Sequence, residues 1–483
     1  MKVLVAEPVI AGESVLFRWT QSEPNPYQAK NEFSFRYEGI DLGAFSPLLF
    51  YEIFLGLQLK VFGAYRRPVE VIFPRPVPWR SAAYWRAFHD ADLVTIAPLA
   101  DAASYSPWIK GSSRLPRPRK AAVFFGAGRD STATTCLLSE IFGPEEVLLV
   151  QFVIPVRPVP DQTERLERRQ DELMLRPARE RLGVATRFVW TDYLAQMHVG
   201  HYATRPHAEF FTLGALPLLL AWGVSLATFC IEWTAYPAFR NEHGRLRFRS
   251  PKSRPEILAT QSAHYRRVLG AELRVTNLNM LMSTLTTFRL LQERYPPTLE
   301  QIVMCTQGDV GQRWCYRCNN CAWYALYCLH FGVLDLRFDY DRLFRDAPYF
   351  RKVAAYAATG VELSHFGNAP PPPSLGLEVF SVFFHVVAGV DVRLVADRLG
   401  AEAYANLMVM KALFGNRTYP STAMMPTKAI DLLGHPAARQ IAALVSQHAA
   451  AADDLPGPFA NADAVYDFGL RMPVRKELSC PGD

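Results

Sequence analysis

Apolar and polar residues alternate with a period of two along Val15-Leu16-Phe17-Arg18-Trp19 and Glu32-Phe33-Ser34-Phe35-Arg36-Tyr37, which predicts half-buried strands and a small sheet at the start of the chain. Residues 48–62 switch to a helical apolar period, residues 68–78 return to extended, proline-punctuated backbone, and a helix over 81–91 with a short apolar run at 92–96 closes this region. Residues 106–120 are polar, basic and proline-containing, as linkers are. Beyond them, strands and helices take turns: a strand from Ala121, a helix opened by Ser131, strand 147–156, helix 162–182, strand 186–190, helix 206–222 and strand 225–231. Helices near Gln261 and over 281–295 and a strand at 301–305 follow. This rhythm predicts an α/β fold with a parallel sheet covered by helices on both faces. From Val333 onward the pattern is mainly helical, interrupted by Pro370-Pro371-Pro372-Pro373, a rigid extended loop because four prolines cannot lie inside a helix. The expected organisation is therefore an N-terminal α+β accessory domain over 1–117, an α/β domain over 118–335 and a helical region over 336–483.

Composition changes this picture little. A chain of 483 residues, 50% hydrophobic and 20% charged, has the balance of an ordinary globular protein. The net charge of +6 is not gathered into one block, so neither a nucleic-acid partner nor a membrane partner is expected; small phosphate-bearing ligands suit the mild basic excess. The apolar stretch at 210–231 contains Gly214, Pro217 and Gly223 and reads as a buried helix followed by a strand. The start of the chain lacks the basic, apolar and cleavable sequence of a secretory leader, and four of the eight cysteines crowd between positions 305 and 321, so a cytoplasmic setting is expected. Oligomeric state is not legible.

The chemistry gathers at two places. After the strand from Ala121 comes Gly126-Ala127-Gly128-Arg129-Asp130-Ser131-Thr132, a small-residue turn entering a helix. Backbone N–H groups, the positive end of the helix dipole and the hydroxyls of Ser131 and Thr132 suit a nucleotide phosphate. It is neither a Walker loop nor a G-x-G-x-x-G turn, and on this motif alone a plain tight connection stands beside the phosphate reading. The second place is Cys305-x9-Cys315-x2-Cys318-x2-Cys321, a spacing able to close a structural Zn²⁺ site, with Arg313 and Arg317 tempering the thiolate charge. An iron–sulfur cluster is the rival occupant.

Together the two motifs resemble those of PP-loop ATP pyrophosphatases, and the closer likeness is to the ATP-dependent UDP-MurNAc-L-Ala-L-Glu epimerases; 7-cyano-7-deazaguanine synthases are more distant. The likeness covers about residues 118–332. The epimerase loop G-G-G-K-D-S corresponds to Gly126 through Ser131, with Ala127 and Arg129 as departures, and W-C-G-x-C-x-K-C corresponds to Trp314 through Cys321, with Asn320 in place of lysine. Of the family's N-E-R-S-A-N-E loop only Glu232 is kept, while Tyr236-Pro237-Ala238-Phe239-Arg240 is similar to a deazaguanine-synthase segment.

The resemblance implies an adenine nucleotide alpha hydrolase-like fold, ATP with Mg²⁺, and activation of a carboxylate by adenylation. The expected product is an epimerised C-terminal residue of a peptide or peptide conjugate, of a cell-wall precursor or a peptide natural product. Ser131 would donate to a phosphate oxygen, Asp130 would orient the loop or hold the metal, and Arg129 would face either the α-phosphate or solvent. Candidate acid/base groups are Glu232, His201 and His207, and candidate substrate contacts are Arg205, Tyr236 and Arg240. For Glu232 a structural salt bridge to a nearby arginine is the plain alternative. Rival functions are amide or nitrile formation of the deazaguanine type, tRNA modification, and a relative that has lost catalysis through Ala127 and Arg129.

Overall fold

The computed structural model describes residues 1–101, 119–155, 161–198, 208–232, 238–240, 246–248, 251–305, 308–347, 350, 381–415, 423–453 and 464–465, and the account below concerns these. Side chains within 238–251, 381–384, 413–414 and 464–465 are outside it. His201, Arg205, His207, Tyr236, the four prolines and nearly all of the linker lie outside the described residues.

The chain begins with strands β1 (Lys2–Val5), β2 (Val9–Ala11), β3 (Ser14–Gln21) and β4 (Glu32–Tyr37), then helix α1 (Pro47–Ala64), strand β5 (Val69–Pro78), helix α2 (Trp79–Phe88) and strand β6 (Val94–Ala100). The α/β region follows as β7 (Ala121–Phe124), α3 (Arg129–Phe142), β8 (Val147–Val153), α4 (Gln162–Gln170), a π turn at Asp171–Leu175, α5 (Arg176–Leu182), β9 (Ala185–Thr191), α6 (Ala208–Ala221) and β10 (Leu226–Thr228). After the short strands β11 (Ala238–Arg240) and β12 (Leu246–Phe248) come α7 (Pro255–Leu269), β13 (Arg274–Thr276), α8 (Thr284–Glu293), α9 (Pro296–Leu299), α10 (Asn319–His330) and α11 (Tyr340–Asp346). Four further helices, Ser381–Gly389, Ala401–Phe414, Lys428–Leu433 and Pro436–Val445, make the described C-terminal part helical, as its pattern predicts.

Ten strands lie in the order β13-β10-β7-β8-β9-β4-β3-β1-β5-β6, with β2 on β3. Pairing is parallel from β13 to β9, antiparallel from β9 through β4 and β3 to β1, and parallel again to β6. The expected parallel sheet is therefore one part of a larger, mostly parallel sheet. Strand β4 joins its partner through Phe35 opposite Thr191 and Tyr37 opposite Val189, so residues of the first hundred share a sheet with the α/β region.

The period of two sorts side chains onto two cores. Ala121, Val123, Val147, Leu149, Phe188 and Trp190 face the core with α3, α5, α8, α10 and the C-terminal helices. Ala122, Leu148, Val150 and Val189 face the other, with α1, α2, α6, α7 and the aromatic residues Phe17, Phe33 and Phe35. Pro47 at the first turn and the Ser46 hydroxyl, accepting from Leu48 N–H at 3.3 Å, start α1. That helix is the one described segment long and apolar enough to cross a membrane, and its sides are instead covered by the fold. Gly56 makes the fit possible, since a Cβ there would run into Leu213 of α6. Glu52, fully buried in α1, accepts from Trp85 Nε1 at 2.5 Å and from Ser81, and lies 2.6 Å from His264 Nε2, joining α1, α2 and α7.

Several elements depart from the pattern. Residues 301–305 form no strand; their backbone is irregular, and Val303 N–H donates to Ala127 O. Helix α3 starts at Arg129, two residues before Ser131. The π turn precedes Pro177, whose missing N–H cannot continue the α-helical ladder.

Candidate functional site

Strand β7 occupies the point where the order of the parallel strands reverses: β8 and β9 follow on one side, and β10 and β13 lie on the other. In sheets of this kind the crevice outside the carboxyl ends of the diverging strands is the ligand-binding position. The Gly126–Gly128 turn leaves β7 there, and β10 delivers Glu232 beside it.

The loop is shaped by its own main chain. Phe125 N–H donates to Val150 O at 2.9 Å, which extends the pairing of β7 with β8 to the edge of the turn. Ala127 sits in the left-handed region at φ 51° with its methyl group buried, and its carbonyl accepts from Val303 N–H at 2.8 Å. Gly126 N–H donates to the Ser131 hydroxyl at 3.3 Å, and that hydroxyl donates to Gly128 O at 3.2 Å. Ser131 thus closes the loop on itself, and Thr132 is buried. A Cβ placed on Gly126 or Gly128 would meet no atom within 4 Å, so the mouth of the turn is open, and Gly128 at the N-cap of α3 supplies no side-chain cap. Main-chain donors of the first turn are the groups available to an anion.

Arg129 takes neither of the two directions open to it in the sequence. It is buried against the protein: Nη2 donates to Thr284 Oγ1 at 2.8 Å and lies 3.6 Å from Glu232 Oε1, Nε lies 3.3 Å from Asp130 Oδ1, and the guanidinium stands 5.0 Å from the Tyr327 ring centre. Glu232 also accepts from the Thr284 hydroxyl. The plain alternative for Glu232, an ion pair with an arginine, is realised, and the side chain still keeps 20% of its surface exposed. Asp130 rests among Arg129, Asn279 and Thr287; burial pushes its carboxyl pKa up, against the opposing pull of Arg129. That position favours orienting the loop over reaching an ion in its mouth.

Residues with no signal in the sequence hold this arrangement. Asn277, after β13, accepts from Ile231 N–H at 2.9 Å and donates to Ile231 O at 2.6 Å, which sets the backbone just before Glu232. Thr228 Oγ1 accepts from Leu278 N–H at 3.0 Å. The run Thr276-Asn277-Leu278-Asn279, polar at alternate positions directly after a strand, was the available clue. Arg240 lies in β11, which pairs with β12 and with Ala464–Val465.

The four cysteine sulfurs converge. All lie within 4.8 Å of one another, with Cys318 Sγ 3.5 Å from Cys321, 4.0 Å from Cys305, and Cys315 3.8 Å from Cys321. Zn–S bonds of about 2.3 Å in a tetrahedron require S···S edges of about 3.8 Å, so the group could hold a metal ion such as zinc. Left-handed Tyr316 (φ 58°) folds the knuckle so that Arg317 and Cys318 N–H point at Cys315 Sγ, at 3.4 and 3.3 Å. Cys318 then precedes α10 and Cys321 occupies its first turn. Without a cation, contact with Cys305 is the first cause that raises the pKa of Cys318, to about 12, and that of Cys321. A divalent ion supplies the charge that lets them act as thiolates. Charge tempering by Arg313 is not what its geometry serves; Arg313 donates to Ile302 O at 2.7 Å, and Arg169 of α4 donates to Cys305 O at 2.8 Å.

No protein-family model matches this chain, and no curated protein matches it.

Proposed function

We propose that the protein is an ATP-dependent, AMP-forming enzyme that adenylates a carboxylate, with the C-terminal residue of a peptide or peptide conjugate as the group activated and then epimerised. The observation that carries the reading is the open Gly126–Gly128 turn at the point where the strand order reverses, with the Glu232 carboxylate at the adjoining strand end. The four-cysteine group adds to it through the motif likeness.

In the proposed reaction a carboxylate oxygen attacks the α-phosphorus, the bond to the bridging oxygen breaks, and pyrophosphate leaves. The main-chain donors of the turn and the first turn of α3 would hold the leaving pyrophosphate, and Mg²⁺, when bound, would share its charge. Adenylation removes the carboxylate's negative charge, so the α-proton becomes acidic enough for a side-chain base; a proton returned from the opposite face inverts the centre. Hydrolysis then releases AMP. Glu232 is the described candidate base, held in place by Thr284, Arg129 and the Asn277 clamp. His201 and His207 remain the candidates for the opposite face, and Arg205, Tyr236 and Arg240 for substrate contacts.

Incubation with ATP and candidate peptides in heavy water tests this directly. Release of AMP and pyrophosphate together with deuterium at the α-carbon and a D-residue is the expected result. Nitrogen incorporation without deuterium would replace epimerisation by amide or nitrile formation, co-purifying RNA would point to tRNA modification, and failure to bind ATP would leave a non-catalytic relative.

A further inference from the structure

We propose that Val303 and Cys305 are positioning residues for the anion loop, so that filling the four-cysteine site holds the Gly126–Gly128 turn in its phosphate-binding shape. The inference rests on the reading of that turn as a phosphate site.

Ala127 carries a Cβ in the left-handed region, a conformation that such a residue populates on the order of tenfold less readily than glycine. Something outside the turn must hold it, and its carbonyl accepts from Val303 N–H at 2.8 Å. Val303 lies in irregular backbone, with no strand ladder to fix it. That backbone is tied by Arg313 to Ile302 O, by Arg169 to Cys305 O, and at its end by the fully buried Cys305 sulfur in the metal group. A second route runs in parallel. Cys318 and Cys321 anchor the start of α10, and Tyr327 on the same helix supports Arg129, the residue immediately after Gly128. Met304 meets Arg129 as well, Sδ to Nη1 at 4.0 Å. Both routes begin at the cysteine group and end on the loop, and the four cysteines are free thiols, with no disulfide duplicating the link a metal would make.

The test uses the full chain and inorganic pyrophosphate as probe, with affinity measured by calorimetry in the zinc-loaded and chelator-stripped protein, in zinc-loaded Val303→Pro, and with Ala127→Gly added to each. Stripping, or removing the Val303 N–H, is expected to weaken pyrophosphate binding about tenfold, and Ala127→Gly to restore it to within about threefold, because glycine keeps the left-handed conformation unaided. Equal affinity in loaded, stripped and Val303→Pro protein overturns the proposal. A loss that Ala127→Gly does not restore also overturns it, since that is general loosening. Amide exchange at Val303 gives a readout that needs no ligand: it should quicken on stripping while β8 amides stay protected. If loaded wild-type protein binds no pyrophosphate, the phosphate reading fails, and exchange at Val303 alone decides the clamp, with an unchanged rate refuting it. If Val303→Pro does not fold, the loaded and stripped forms with and without Ala127→Gly carry the decision.

Discussion

The proposed anion loop and the cysteine knuckle are joined through the hydrogen bond from Val303 to Ala127, and they are built from opposite materials. The knuckle is made of side chains: four sulfurs within 4.8 Å, two of them on α10 or at its cap. The loop is made of main chain. Its useful features are the open space over Gly126 and Gly128, the uncapped start of α3 and the left-handed Ala127, while the side chains of Arg129, Ser131 and Thr132 are turned inward. A site of side chains fails when one chemical group is changed. A site of main chain fails when its conformation is released or its open space is filled.

The largest contrast is expected from Cys318→Ser, which removes one metal ligand and should cost about 3–5 kcal/mol of stability together with bound metal, read by thermal unfolding and metal analysis. Chelation of the wild type should match it; a brown protein absorbing near 400 nm would replace zinc by an iron–sulfur cluster in this comparison.

Next comes Arg129→Met. It leaves Asp130 and Glu232 without their shared cation and should cost about 3 kcal/mol, part of which Glu232→Gln on the same chain should recover, because the uncompensated charge is then reduced. Denaturant unfolding of the single and double variants checks both, and additive losses would separate the two residues energetically.

A smaller effect tests the knuckle's helix from its far end. His330 of α10 donates its Nδ1–H to Val386 O at 2.9 Å and lies beside His385, with ring centres 5.6 Å apart. Burial holds both imidazoles below their usual range, His385 at about 4, with Arg289 facing both and Lys411 facing His330. As pH falls from about 6.5 toward 4, the unfolded chain takes up protons that the folded chain refuses, so stability present above pH 6.5 is lost. The expected loss is about 1–2 kcal/mol, allowing for partial solvent screening. His385→Gln should flatten the dependence in thermal melts across this window.

Gly126→Ala should have the least effect on folding, within about 0.5 kcal/mol, because the added methyl meets no atom. Pyrophosphate affinity should nonetheless fall, by on the order of tenfold, since the methyl occupies the space an anion needs. An unchanged affinity would remove the main-chain half of the comparison.

What was legible follows from the same division. Cys305, Cys315, Cys318 and Cys321 were readable because thiolate chemistry lies in residue type and spacing, and long periodic segments such as 162–182 and 48–62 came close to their observed bounds, Gln162 to Leu182 across the π turn and Pro47–Ala64. Residues 301–305 read as a strand because they are apolar, yet their backbone is held by Arg313, Arg169 and Ala127 in place of a neighbouring strand. The three-residue strand β13 carries too short a pattern to stand out, and Asn277 acts across 46 positions, a distance no local period reports.

The sequence by itself determined the alternation of strands and helices, the two-faced burial of the central strands and the four cysteines of the knuckle, because these depend on local period and on side-chain chemistry. Tertiary structure alone decided that β4 joins β9 and so draws the first hundred residues into the same sheet. It also turned Arg129 inward onto Glu232 and put the Val303 amide under Ala127. These outcomes depend on which distant groups become neighbours once each buried charge and each main-chain donor must find a partner.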